Sequence, residues 1–227
     1  MSSPSPHACL AVTAGLLLSA SLGLAQQGDR KDRKGTQQQD PIPADQIPPS
    51  PYLSVKDAIG AFKLAPGYAI ESIAAEEDVH MVVALAFDAN GRVWTAEMRS
   101  YMPNLDGTGE DKPDGQIRVL EDKDGDGHYE TVTTFLDGLV LPRAVAVTHD
   151  GCLYTSGDQL LFIERNGLKP VGEPMVVDAT YARGGNPEHK GNGLLYGHDN
   201  WYYNAKSNRR YRRIMGQWMQ QSTDSRG

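Results

Sequence analysis

The chain has 227 residues, of which 22 are basic and 29 are acidic, so its net charge near neutral pH is −7. This mild acidity argues against a nucleic-acid-binding protein, which would carry a strongly basic surface. Two cysteines are too few for a disulfide framework or a cysteine-based zinc finger. The 24 glycines and 14 prolines are typical of a globular domain that is rich in turns.

An apolar segment at 8–24 is followed by Ala25, and small residues stand at positions 23 and 25. This pattern predicts that residues 1–25 are a signal peptide, which would make the mature protein secreted or periplasmic. A misassigned start or a short buried helix are the alternatives, because no lysine or arginine precedes the apolar segment. Cys9 would leave with the peptide, and we expect Cys152 to be a small buried apolar residue.

Residues 26–51 are polar, charged and rich in proline, without hydrophobic periodicity. Such a segment cannot bury enough apolar surface to fold, so we predict a disordered linker. Ser54 is a good N-cap, and the apolar residues that follow it recur on one helical face. We therefore expect a short lead-in helix that covers the rim of the following domain, residues 52–227.

Three segments of this domain can be superimposed, and each consists of a strand, a tight turn and a second strand. Gly91, Gly151 and Asn200 take the equivalent turn position, where a residue that tolerates positive φ is expected. Alternating hydrophobicity predicts outer strands at 116–121, 129–136, 160–164 and 173–178. Hairpins repeated at this interval predict an all-β fold, a β-propeller, whereas the strands of a β-sandwich follow one another more closely. At about 50 residues per blade, the domain holds three to four blades.

An acidic loop, DKDGDG, occupies 122–127 and has the spacing of an EF-hand-type calcium loop. Asp122, Asp124 and Asp126 take its positions 1, 3 and 5, and Glu130 takes position 9. Thr133 replaces the glutamate of position 12, so the loop is not a complete EF-hand. We predict a structural Ca²⁺ site on a hairpin, and an acidic turn without metal is the alternative.

Polar side chains also stand where inner strands begin or end. His189 comes just before the third repeat, where propeller loops face the central channel and an imidazole can act as a general base. Arg143 precedes the second repeat, and its guanidinium suits a carboxylate or a quinone oxygen. Glu97, Arg99 and Tyr101 follow the first repeat in a long loop. Salt bridges between neighbouring blades are the alternative for the arginines and Glu97, and a structural role is the alternative for His189.

Taken together, five ordered segments resemble a family of secreted bacterial proteins, the PVC-type membrane-bound dehydrogenases. The segments are FKLAPGY at 62–68, VWTAEMRSYMPN at 93–104, GQIRVLEDKDGDG at 115–127, TFLDGLVLPRAVAV at 134–147 and NPEHKGNGLLYGHDNWYYNAKS at 186–207. The resemblance extends from about residue 53 to the end of the chain. It implies a six-bladed propeller similar to the sugar dehydrogenases and sorbosone dehydrogenases that depend on pyrroloquinoline quinone (PQQ).

The resemblance also implies a chemistry. His189 would take the hydroxyl proton of a sugar or alcohol substrate while a hydride passes to PQQ, and Arg143 would face the quinone or the substrate. The remaining implied roles are cofactor binding by Arg99 and Asn192 and substrate binding by Glu97 and Tyr101.

Members of that family commonly carry helical repeats and a cytochrome c domain after the propeller, and they pass electrons to this haem c or to another acceptor. The sequence has no CxxCH motif. We therefore expect a truncated propeller that is inactive alone, with the haem c domain missing. A non-catalytic extracellular propeller that binds glycan or protein is the other interpretation of the same sequence.

Overall fold

A computed structural model of the chain describes residues 43–46, 49, 51–104, 107–184 and 187–223. The predicted signal peptide and most of the predicted linker lie outside the described residues. Within them, the lead-in helix forms as predicted: α1 spans Val55–Ala61, and the Ser54 Oγ accepts a hydrogen bond from the Asp57 N–H at 3.2 Å. The expected packing is wrong, because α1 has no buried residue and therefore does not cover the rim.

Twelve strands of the described residues form three antiparallel sheets of four, each built from consecutive strands. Blade 1 contains β1 (Val82–Phe87), β2 (Val93–Glu97), β3 (Gly115–Glu121) and β4 (Thr131–Leu139). Blade 2 contains β5 (Val145–Val147), β6 (Gly151–Ser156), β7 (Gln159–Asn166) and β8 (Lys169–Asp178). Blade 3 contains β9 (Asn192–Tyr196), β10 (Tyr202–Ala205), β11 (Arg209–Ile214) and β12 (Gln217–Ser222). The predicted outer strands correspond to β3, β4, β7 and β8.

The first strands of the blades lie next to one another, since β5 contacts both β1 and β9. Four-stranded meanders that follow one another around a common inner side are the blades of a propeller. The predicted all-β propeller is therefore confirmed, with three blades in the described residues. One end of this inner side is formed by the residues where β1, β5 and β9 begin.

The core lies between the faces of adjacent blades. Between blades 1 and 2, the Trp94 ring packs edge-on against the Phe135 ring, with 4.8 Å between the ring centroids. Both residues belong to a cluster with Tyr154 and the fully buried Cys152. The prediction of a buried Cys152 is thus confirmed. A second cluster between blades 2 and 3 includes Phe162 and Tyr211. Stacked faces of this kind bury apolar side chains from both sides of a sheet, which holds successive blades together.

A polar contact also joins blades 2 and 3. The carboxylate of Asp178, the last residue of β8, is buried and accepts hydrogen bonds from the Tyr211 hydroxyl and the Arg209 guanidinium, both at 2.6 Å. The N–H and hydroxyl of Thr180 donate to the same carboxylate at 2.8 and 3.0 Å. Four donors thus satisfy one buried charge between the blades.

The hairpin turns agree with the sequence alignment in two blades and differ in the third. Gly91 has φ +79° and Asn200 has φ +63°, as predicted. In both, three residues separate the hydrogen-bonded ends of the hairpin, Asp88–Arg92 and Gly197–Trp201. In the blade 2 turn only two residues separate the hydrogen-bonded ends, because the Thr148 N–H donates to the Gly151 carbonyl. Gly151 has no positive φ and begins β6, so its predicted turn role is wrong.

Candidate active site

A cavity of about 590 Å³ lies where the inner strands begin. Its wall combines apolar side chains from β1 and the segment after β2 with polar residues from the segments that lead into β5 and β9. The lining residues are Val83, Ala84, Leu85, Met98, Tyr101, Arg143, Pro187, Asn192 and Gly193. The structure therefore brings together three residues that the sequence singled out from three separate segments.

Arg143 is held in this wall by its own blade. The Thr155 Oγ1 of β6 accepts hydrogen bonds from the backbone N–H groups of Arg143 and Ala144 at 2.8 and 3.2 Å. Two residues earlier, Leu141 has φ +44°, a left-handed conformation that is costly for a residue with a Cβ. Only 4% of Arg143 is exposed, and none of its three guanidinium nitrogens has a hydrogen-bond partner among the residues that the structure describes.

The charges around Arg143 act on it from a distance. Burial lowers the pKa of the guanidinium, and Asp158, Tyr181 and Glu110 oppose that shift. Asp158 already forms an ion pair with Lys190 at 2.7 Å, and the Glu110 Oε1 accepts the Met102 N–H at 3.0 Å. Arginine stays protonated even when its pKa falls, so the cavity wall contains a buried positive charge. Within the described part of the chain, the alternative interpretation of Arg143, a salt bridge between blades, does not apply.

His189 and Asn192 lie together on the segment that enters blade 3. His189 ends a short 3₁₀ turn, Pro187–His189, and its side chain is exposed. Asn192 begins β9, and its side-chain amide donates to the Lys190 carbonyl at 3.1 Å. The Tyr181 hydroxyl donates to the Gly193 carbonyl at 3.1 Å, which fixes the start of β9 against blade 2. His189 does not line the cavity, although Pro187 and Asn192 on either side of it do, so its predicted position facing the channel stays a prediction.

Glu97 and Arg99 are placed differently, because neither lines the cavity. Glu97 is completely buried, and its carboxylate binds the Arg99 guanidinium at 2.6 Å and lies 3.7 Å from Arg118. Arg118 belongs to β3, so this ion pair lies within blade 1 rather than between blades. The geometry makes Glu97 a structural anchor for the loop that carries Tyr101, and contact between Glu97 and a substrate remains a prediction.

The acidic hairpin loop between β3 and β4 brings Asp122, Asp124 and Glu130 together, with one carboxylate oxygen of each within 4.8 Å of the others. Asp122 accepts the N–H groups of Gly125 and Gly127, the latter being the main reason that its pKa is lowered. The fourth predicted ligand, Asp126, is outside this group, and its carboxylate accepts the His128 N–H at 2.8 Å.

Sequence reasoning missed the apolar half of the cavity, which is formed by Val83, Leu85 and Met98. It also missed Asp178 and its partners between blades 2 and 3. A signal existed for the apolar residues, because Val83 and Leu85 lie on the first inner strand, where the side chains of a propeller face its channel.

Among the described residues, no helix has the length and apolar character that a membrane span requires.

Two solved structures illustrate the fold to which the chain is similar. One is a calcium-binding protein, regucalcin, from Agrobacterium tumefaciens strain C58, at 15% identity and a TM-score of 0.42. The other is described as a candidate gluconolactonase, at 13% identity and a TM-score of 0.39. Each match covers 63% of this chain. The matched part is 45% of the regucalcin chain and 47% of the second chain, so this chain spans less than half of either.

The search of curated proteins gave no match. A family profile does match, and its description is "Domain of unknown function (DUF7133)". The matched range, residues 54–226, begins at the N-cap of α1 and includes all three blades. The chain therefore belongs to the DUF7133 family.

Proposed function

We propose that the chain is the dehydrogenase-like part of a secreted oxidoreductase, which transfers a hydride from the carbinol carbon of a sugar or alcohol to PQQ. The observation that carries the proposal is the meeting of Arg143, Tyr101 and Asn192 at the end of the inner side where His189 enters blade 3. Polar side chains that converge on a largely apolar cavity are typical of a small-molecule site.

The apolar part of the cavity fits the ring system of PQQ. A planar aromatic ring system suits the wall of Val83, Leu85 and Met98, and Arg143 is kept for the substrate. The amide of Asn192 supplies an oxygen and a nitrogen for polar substituents. When bound, the quinone supplies the electron acceptor, and the protein supplies orientation and electrostatic stabilisation. Arg99 is a more remote cofactor ligand in this proposal, because Glu97 holds its guanidinium.

His189 is the general base of the proposed reaction. Its imidazole accepts the hydroxyl proton of the substrate while the carbinol C–H bond gives up its hydride, so the product is a carbonyl compound. An exposed histidine before an inner strand has the access to solvent that passes this proton onward. The same proposal includes export through residues 1–25 and electron transfer to a cytochrome c domain or another acceptor.

Replacing His189 with alanine should reduce PQQ-dependent dye reduction by about 100-fold or more, since a positioned base contributes about 10²–10⁴-fold. The assay uses the protein in the longest form that its gene encodes, with PQQ, Ca²⁺ and a panel of aldoses and polyols, and PQQ binding is followed by its absorbance. His198→Ala is the matched control, because His198 is exposed in the β9–β10 turn at the opposite end of β9. The proposal fails if that protein binds no PQQ, and saccharide binding without redox change would favour a binding propeller.

We propose in addition that the loop between β3 and β4 takes a structural Ca²⁺ through Asp122, Asp124 and Glu130. At 10 mM Ca²⁺ and a Kd of about 1 mM, binding stabilises the fold by about 1.4 kcal/mol. The expected rise in Tm is then roughly 3–5 °C for a domain of this size. Asp124→Asn should abolish the rise, whereas Asp111→Asn, an exposed acidic residue outside the loop, should retain it. A Ca²⁺ response that is unchanged in Asp124→Asn would contradict the site.

A further inference from the structure

The buried guanidinium of Arg143 is a charge without a partner among the described residues. All three of its nitrogens are removed from solvent and lack a hydrogen bond. Burying a charge without a partner is costly, and buried polar groups are nearly always hydrogen-bonded. The protein nevertheless holds the residue in place through Thr155, which binds the backbone N–H groups of Arg143 and Ala144. Arg143 is therefore a fixed cation in the cavity wall.

The neighbouring groups do not neutralise this charge directly. Asp158 is bound to Lys190, and Glu110 is bound to the backbone of Met102. The Tyr181 hydroxyl donates its proton to the Gly193 carbonyl, and in any case a neutral phenol balances no charge. Because none of the described groups pairs with Arg143, the partner that suits it is an anion that enters the cavity.

From this arrangement we infer that the substrate is acidic: a sugar acid or other polyhydroxy acid whose carboxylate is bound by the guanidinium fork of Arg143. The inference rests on the proposed function, because it names the substrate class of the same site. A planar guanidinium matches the two oxygens of a carboxylate in a bidentate pair. A site sheltered from water strengthens that pair, since the local dielectric constant is low.

A carboxylate suits the site better than a phosphate dianion. Arg143 is the one unpaired cation among the described residues that line the cavity, because the nearby Lys190 is committed to Asp158. One guanidinium balances one negative charge, and the chain as a whole has a net charge of −7, which disfavours a second. The hydroxyl groups of a sugar acid would meet Asn192 and Tyr101 in the same wall.

The test is calorimetric titration of the full chain, without PQQ, with D-glucuronate, D-glucose and inorganic phosphate as separate probes. Glucuronate should bind, and glucose and phosphate should bind at least tenfold more weakly. Arg143→Met should weaken glucuronate binding about 100-fold, which corresponds to two charge-assisted hydrogen bonds. Arg143→Lys keeps the charge without the fork and should lose about tenfold. Lys169→Ala, which removes an exposed charge on β8, is the control and should bind normally.

Folding and binding are separable in this design. Arg143→Met retains an unbranched stem and removes an unpaired buried charge, so its urea midpoint should equal or exceed that of the parent chain. Equal binding of glucose and glucuronate, or unchanged glucuronate binding in Arg143→Met, would overturn the inference. Glucuronate binding by a chain that takes no PQQ would refute only the proposed function. Dye reduction with glucose but not glucuronate would refute only the acidic substrate.

Discussion

Replacing Gly151 with alanine is expected to lower the free energy of unfolding by about 3 kcal/mol, the upper end for overpacking in a core. A Cβ at this position would lie within 3.0 Å of the Phe162 ring and of the Ile163 backbone carbonyl. Phe162 is 1% exposed and packs between blades 2 and 3, so the ring cannot move aside freely. The backbone of β7 cannot yield either, because it is paired on both sides.

Gly91 provides the matched control, because the sequence repeat gives it the same place as Gly151 while the structure gives it a different constraint. Gly91 has φ +79°, and a Cβ added there would have no atom within 4 Å, so Gly91→Ala should cost only about 1 kcal/mol from backbone strain. Gly91→Asn should recover part of that cost, since Asn200 adopts the same conformation in blade 3. Gly151→Asn should be at least as damaging as Gly151→Ala.

Urea unfolding of the full-length variants, followed by tryptophan fluorescence, measures these differences as shifts in the transition midpoint. If asparagine were tolerated at Gly151 as well as at Gly91, both glycines would serve the turn, and the packing explanation would be wrong. The contrast between the two positions therefore tests a structural detail that the sequence alone assigns incorrectly.

The hairpin repeat predicted the blades because strand alternation and turn residues are local signals. The same repeat placed Gly151 in the turn, which is wrong by one position. The blade 2 turn is one residue shorter than the other two, so its Asp-Gly pair looks like a turn pair although the glycine already belongs to β6. Alignment by a turn pair, Asn90-Gly91 in blade 1 and Asp150-Gly151 in blade 2, cannot distinguish these cases. The close approach of Phe162, which explains the glycine, comes from a strand eleven residues later and is visible only in the folded sheet.

For the candidate site, the sequence predicted which ends of the strands would meet but not how their side chains would be paired. Arg143, Tyr101 and Asn192 share a cavity because inner strands of successive blades begin at the same end. The burial of Glu97 depends on Arg99 and Arg118, one of which comes from another strand. Whether an arginine is paired is decided by tertiary distances, for which a single sequence has no local signal.

Replacing Asp178 with asparagine is expected to lower the free energy of unfolding by about 2–3 kcal/mol, the usual contribution of a hydrogen bond to a charged group. The buried carboxylate joins the Tyr211 hydroxyl and the Arg209 guanidinium of blade 3 to the end of β8. An amide at this position turns one acceptor oxygen into a donor that faces other donors. Asparagine would therefore leave at least one of these groups unpaired between two blades.

The chain contains a close counterpart at the surface. Asp199 accepts the Tyr203 hydroxyl at 2.7 Å and the Arg210 guanidinium at 3.3 Å, so its partners are of the same kind as those of Asp178. Its side chain is 48% exposed, however, and all three residues belong to blade 3 or its turn. An exposed pair contributes roughly 0–1 kcal/mol, so Asp199→Asn should change stability little. Equal losses in the two variants would contradict the role of Asp178 as a buried link between blades.

The dependence of stability on pH gives a second readout for Asp178. Burial alone raises the pKa of this carboxyl, but hydrogen bonds from Tyr211, Thr180 and Arg209 outweigh burial and lower the pKa below 3.8. A carboxyl whose pKa is lower in the folded than in the unfolded state contributes stability above its unfolded pKa and loses it as pH falls through the folded one. The parent chain should therefore lose stability below about pH 4. Urea midpoints measured from pH 7 to pH 3 should decline less steeply in Asp178→Asn, while Asp199→Asn should follow the parent chain more closely.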